Sequence, residues 1–150
     1  MRSDVTVKDR VGRPVVTVEV KARAEADVTW AAKFHRNLLA HATGTPSDFF
    51  LLVTPKETFL WKEASSPTGG ERQPDVIVET RELLGEYFDE LERIHGRVTG
   101  TAFEHLVGAW LSAIVSAPSL DELPTGTRSF AKASGLYDAT QGGSVHFEAA

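Results

Sequence analysis

The sequence predicts an α/β domain, a mixed β-sheet flanked by helices. Three observations carry this expectation. Val5 to Lys8 and Val15 to Lys21 alternate around a break containing Gly12 and Pro14, the pattern of a β-hairpin. Phe49 to Val53 is an unbroken apolar run, suited to a central strand buried on both faces. Thr80 and Gly96 bound a helix at about 81–94, and the stretch at about 101–116 places apolar residues at helical spacing. With 150 residues, 41% of them hydrophobic, the chain suits one core and a single domain over 1–150.

The elements follow in order. Val5-Thr6-Val7-Lys8 is a short strand, and Asp9 to Pro14 turns the chain. In the second strand the period of two puts Val16, Val18 and Val20 toward a core, with Val15, Thr17, Glu19 and Lys21 on the other face. A helix is expected from about Thr29 to His41. Its apolar stripe contains Ala32, Phe34, Leu38 and Leu39, with Lys33, His35 and Arg36 on the more polar side. Gly44-Thr45-Pro46 ends it. After the apolar run, Thr54 to Glu57 turns the chain and Thr58 to Lys62 returns as a hairpin partner. Residues 64–74 read as a loop. Thr80 is an N-cap candidate for the helix over 81–94, and Gly96 stops that helix. The next helix, about Thr101 to Ser116, carries Phe103, Leu106, Val107, Trp110, Leu111 and Ile114. A short helix near 128–134 and a strand at Val145–Glu148 complete the expectation.

Composition narrows the function classes. With no cysteine there is no disulfide, thiolate metal site or cysteine nucleophile. No apolar run reaches the roughly 18 residues of a membrane span, and no apolar leader follows Met1, so a cytoplasmic protein away from membranes is expected. The net charge of −5 argues against a simple basic nucleic-acid coat. Residues 1–41, however, hold eight Lys/Arg against five acids, a net of +3, which leaves −8 for the rest. A basic front half permits a local anion-binding face that the total conceals.

Chemistry concentrates in Val15-Val16-Thr17-Val18-Glu19-Val20-Lys21. A glutamate and a lysine two apart share one face of a strand that is otherwise nearly all Val. Such charges are costly unless they pair or meet an ion. Asp4 opens the antiparallel partner strand, so the hairpin can carry its carboxylate toward Glu19. Two carboxylates and an ammonium in one place suit a hard divalent cation, most simply Mg²⁺ or Mn²⁺, and hydrolysis of a phosphoryl group. An exposed cross-strand salt bridge is the competing reading, and spacing alone favours it.

Asp4, the hairpin with Gly12-Arg13-Pro14, and Glu19-Val20-Lys21 resemble the PD-(D/E)xK nuclease superfamily, with Ser3-Asp4 where its Pro-Asp stands. The helix Trp30 to His41, Asp48 to Pro55, and Phe59-Leu60-Trp61-Lys62 continue the likeness. So do His105 to Leu111 and Ser134 to Ala139, which resemble the restriction-endonuclease-like group related to archaeal Holliday junction resolvases. The resemblance implies a restriction-endonuclease-like mixed sheet with a nuclease-motif core over about 1–63 and a helical part over about 79–150. It implies a Mg²⁺-dependent DNA endonuclease acting in repair, recombination or defence. Asp4 and Glu19 match the metal-binding acids and Lys21 the catalytic lysine. Lys33 or Arg36 would replace the polar residue that the following helix often supplies. With DNA as partner, Arg10, Arg13, Arg23 and Arg36 are the expected phosphate contacts, although Arg10 and Arg13 equally suit a solvated turn. The superfamily core ordinarily has a helix ahead of the Asp strand. The resemblance therefore implies a core without that usual first helix, an uncovered sheet face and a homodimer. A catalytically inactive nuclease-like fold that binds nucleic acid or assembles with protein is the alternative.

Other motifs are weaker. Pro74-Asp75 with Glu79 imitates the motif without its lysine, and reads as a loop acid and a helix-start acid. His35 and His41, or His95 and His105, lack zinc-ligand spacing. Trp110 sits at core spacing and Trp61 reads as core or interface. Trp30, beside Lys33, remains open as a residue that stacks on bases.

Overall fold

The β1–β2 hairpin sets the frame: Val5–Lys8 (β1) pairs antiparallel with Pro14–Val20 (β2). In the computed structural model residues 4–23, 25–41, 47–62, 71–95 and 100–148 are described. After β2 the chain forms α1 (Val28–His41) and returns as β3 (Phe49–Val53), parallel to β2. Helix α1 is the crossover that a parallel pair requires. Next come β4 (Glu57–Lys62), β5 (Val76–Glu79), α2 (Thr80–His95) and α3 (Gly100–Ser116). A 3₁₀ turn at Leu120–Glu122, α4 (Thr125–Ser134), α5 (Leu136–Thr140) and β6 (Ser144–Phe147) close the chain. The six strands form one mixed sheet in the order β5-β4-β3-β2-β1-β6. No helix among the described residues is long and apolar enough to cross a membrane.

Two cores sandwich the sheet. On one face Ala31 of α1 meets Phe50, Leu52, Phe59 and Trp61, with Trp30, Phe34 and Leu38 packed at the margin. On the other, α2 to α5 cover Val5, Val7, Val16, Val18, Val20, Leu51, Val53 and Leu60. All five residues of β3 are buried, as an unbroken apolar run between two helical layers requires. Chain reversals between the helices of the larger layer are fixed by short devices. Gly135 ends α4 at φ 82°, a left-handed position that glycine takes without a Cβ clash. The buried Thr127 hydroxyl accepts from Trp110 Nε1 (2.9 Å) and donates to the Leu83 carbonyl (2.8 Å), which joins α4, α3 and α2.

Several elements depart from expectation. Val15 is buried in the larger core with Val16, because the register slips between Val7 and Lys8. Val7 faces Val16, Lys8 faces Pro14, and Val15 is the extra residue of a bulge. His35 is not on a polar side; it is buried and stacked on Trp61, ring centroids 4.3 Å apart and 3° from parallel. Asp75 lies in the loop and Glu79 directly precedes α2, as expected, but the residues between form an unforeseen strand: β5 pairs with β4 from Leu60↔Val76 to Glu57↔Glu79. The Asp75 carboxylate accepts from the Lys62 amide (2.6 Å) and pairs with Arg72 (3.0 Å), which starts that strand. Helix α5 was also unforeseen. The face of β1 and β2 opposite α1 is not open; α3 packs on both strands and α5 closes over α3. The homodimer expected from an uncovered face loses that reason. Ser3, the helix stops at Gly44-Thr45-Pro46 and Gly96, and most of the loop expected at 64–74 lie outside the described residues.

Candidate active site

The hairpin register decides the site. Val5 faces Val18, so Asp4 comes opposite Glu19, on the α1 side of the sheet. Asp4 is fixed from several directions. Its amide donates to the Val18 carbonyl (3.1 Å) and to Glu19 Oε2 (3.1 Å). Its Oδ2 accepts from the Val20 amide (2.9 Å), and its carbonyl accepts from the Glu148 amide (3.1 Å) just beyond β6. The aspartate carboxylate is thus carried to the glutamate by backbone hydrogen bonds rather than by a loose side chain.

Glu19 is 4% exposed. Its pKa is pushed up to about 7 from 4.5, first by burial, then by the hydrogen bond and charge of the Asp4 carboxylate; the Lys21 ammonium pulls in the opposite direction. Burial and the neighbouring Asp4 carboxylate thus favour the protonated form of Glu19. Lys21 continues the strand: its amide donates to the Val53 carbonyl (3.0 Å), so it lies about 7 Å along the same face from Glu19. Its ammonium stands 5.6 Å from the centroid of the Phe34 ring.

The remaining expected residues divide. Arg23 joins this end of the sheet, its guanidinium 5.0 Å from the centroid of Trp30. Lys33 and Arg36 do not turn inward. Both are exposed, because α1 meets the sheet through Ala31, Ala32, His35, Phe34 and Leu38. Neither takes the polar position beside Asp4 and Glu19 that was expected of the helix. Arg10 and Arg13 lie at the far end of the hairpin, roughly 20 Å from Asp4 at the rise of a β-strand. Arg13 is engaged there in a two-point ion pair with Asp48 (2.8 and 3.2 Å), and Asp9 accepts from its amide. Arg10 rests against the turn at Gly142. The arginines of the hairpin turn are thus remote from the carboxyl pair.

Glu104 was missed. It is half-buried near the start of α3, and its carboxyl is raised by desolvation and then by the charge of Asp4, with His105 and Lys21 opposing. Phe103-Glu104-His105 reads in sequence as an ordinary helix face; no spacing rule places that turn within the field of β1. The aromatic pair of α1 was only half legible. Trp30 and Phe34 are stacked, ring centroids 5.1 Å apart and 27° from parallel.

Among the described residues no three His, Cys, Asp or Glu side chains converge as a ready-made cage. Two carboxylates in one place nonetheless fit Mg²⁺, which keeps several waters and takes its other oxygens from a substrate phosphate. Compared with protein-family models, curated proteins and solved structures, the chain matches none.

Proposed function

We propose that this chain is a restriction-endonuclease-like nuclease of the PD-(D/E)xK type, hydrolysing phosphodiester bonds in DNA with Mg²⁺ or Mn²⁺, in a repair, recombination or defence setting. The observation that carries the reading is the meeting of Asp4 with the buried Glu19, with Lys21 on the same face. Asp4 and Glu19 would hold the cation, which when bound supplies Lewis-acid charge and an activated water. Glu19 would have to be ionised to hold the cation, which its raised pKa opposes and the cation's charge would favour. Lys21 then stabilises negative charge developing on the phosphoryl oxygens, its position fixed by the β2–β3 ladder.

A second reading is favoured by one observation. The pair is already closed on itself by the Asp4 and Val20 amides and needs no ion to be satisfied. On that reading the fold is an inactive module that binds nucleic acid or protein. The deciding experiment is Mg²⁺- and Mn²⁺-dependent cleavage of linear, nicked and branched DNA by the parent, Glu19→Gln and Lys21→Ala proteins, each checked for folding. Cleavage by the parent alone supports the nuclease. No cleavage, with no heat of Mn²⁺ binding by calorimetry, supports the module.

A further inference from the structure

We propose that Trp30 and Phe34 form a stacking ledge for an unpaired base, and that the substrate is single-stranded or locally unpaired DNA. The inference rests on the nuclease reading of Asp4, Glu19 and Lys21. Its own support is separate. The two rings lie one helical turn apart on α1, stacked on each other and only partly buried. They pack at the margin of the smaller core, which backs them without covering them. The first turn of α1 is fixed by Asp27, whose carboxylate accepts from the Trp30 amide (2.9 Å) and whose carbonyl accepts from the Ala31 amide (2.9 Å).

Cations border the rings. The exposed Arg23 lies over the indole and Lys21 over the phenyl ring. Aromatic faces interleaved with cations are what single strands require: the bases stack and the phosphates pair. A duplex cannot use such a ledge, because its bases are already stacked on one another. The guanidinium of Arg23 is itself a flat group on the indole. A base can replace it there, which frees Arg23 to meet the phosphate of the same nucleotide. Lys21 connects the ledge to the carboxyl pair, since its ammonium borders Phe34 and it follows Glu19 two positions along the same face of the chain. A strand stacked on the ledge would pass Lys21 on its way to the face that carries Asp4 and Glu19.

The test is binding of a fluorescein-labelled oligothymidylate and of a duplex of equal length, in EDTA so that neither is cut. The parent is expected to prefer the single strand. Trp30→Ala should weaken that complex roughly 5- to 100-fold and change duplex affinity less than about twofold. Trp30→Phe should keep most of the affinity. Equal losses on both DNAs, or none, overturn the proposal. The unmodified protein gives an independent reading: Trp61 and Trp110 are 0% and 8% exposed, so oligothymidylate should quench mainly Trp30 fluorescence. Absence of quenching also overturns it. Trp30-dependent binding without cleavage in Mg²⁺ keeps the ledge and removes the nuclease; cleavage with Trp30-independent binding does the reverse.

Discussion

Replacing Glu19 by Gln should stabilise the protein, and by an amount that grows with pH. The native pKa of Glu19 is raised from 4.5 to about 7. Between those values the folded chain binds more proton than the unfolded chain, so this group lowers stability as pH rises through that window. Above pH 7 the penalty is complete. A shift of that size corresponds to about 3 kcal/mol at the conversion of roughly 1.4 kcal/mol per pKa unit. A glutamine in its place carries no such penalty. The new side-chain carbonyl can accept from the Asp4 amide as Glu19 Oε2 does, and the new side-chain amide can donate to the Asp4 carboxylate as protonated Glu19 does. Urea unfolding of both proteins from pH 4 to pH 8 reads the difference. The variant's advantage should increase by up to about 3 kcal/mol across the range, about 6–12 °C in melting temperature for a chain of this size. Parallel pH profiles would refute the reasoning, because they would mean that Glu19 titrates alike in both states. Mg²⁺ gives a second arm. At pH 8 a cation held by Asp4 and Glu19 should stabilise the parent, by about 2.7 kcal/mol at a hundredfold excess over Kd, and leave Glu19→Gln unmoved.

Other outcomes are expected from the same contacts. Arg23→Ala should weaken single-stranded DNA binding in an anisotropy titration, while Arg13→Ala should leave it unchanged, since Arg13 is held by Asp48 at the other end of the hairpin. Thr127→Val leaves the Trp110 indole donor and the Leu83 carbonyl without their shared hydroxyl, and should cost about 1–3 kcal/mol in urea unfolding. Gly126→Ala should destabilise by roughly 1–3 kcal/mol, since a Cβ there falls on the Glu82 backbone carbonyl, which cannot swing aside. Gly108→Ala should cost less by the same measurement: the atoms nearest its Cβ belong to the ring of Phe147, a side chain that is 48% exposed and has room to turn.

Much of this protein is local, and the local part is legible in the sequence. Val alternation, Gly12 and Pro14 specify the β1–β2 hairpin. An apolar run specifies β3, and helical spacing specifies α3, whose Phe103, Val107, Leu111 and Ile114 are all buried. Placing Asp4 opposite Glu19 also follows from the hairpin once its register is known, because pairing in a short hairpin is nearly local. What sequence could not reach depends on which elements meet. His35 has a polar name, yet Trp61 offers it a flat apolar surface, and only the packing of α1 on β4 supplies that surface. Lys33 and Arg36 had the right charge for the site but sit on the outer arc of α1, and a rotation of one helix about its axis decides that. Val15 moved into the core through a one-residue bulge that alternation cannot register. Patterns within single elements thus suffice for the main strands and helices and for the shared face of Glu19 and Lys21, while the hairpin register adds Asp4. Assembly of the whole chain was needed to place Glu104 of α3 within the field of Asp4 and to turn Trp30 and Phe34 toward Arg23 and Lys21. Contacts between elements far apart in the chain are set by the shape and burial of whole faces, and no residue pattern within one element encodes them.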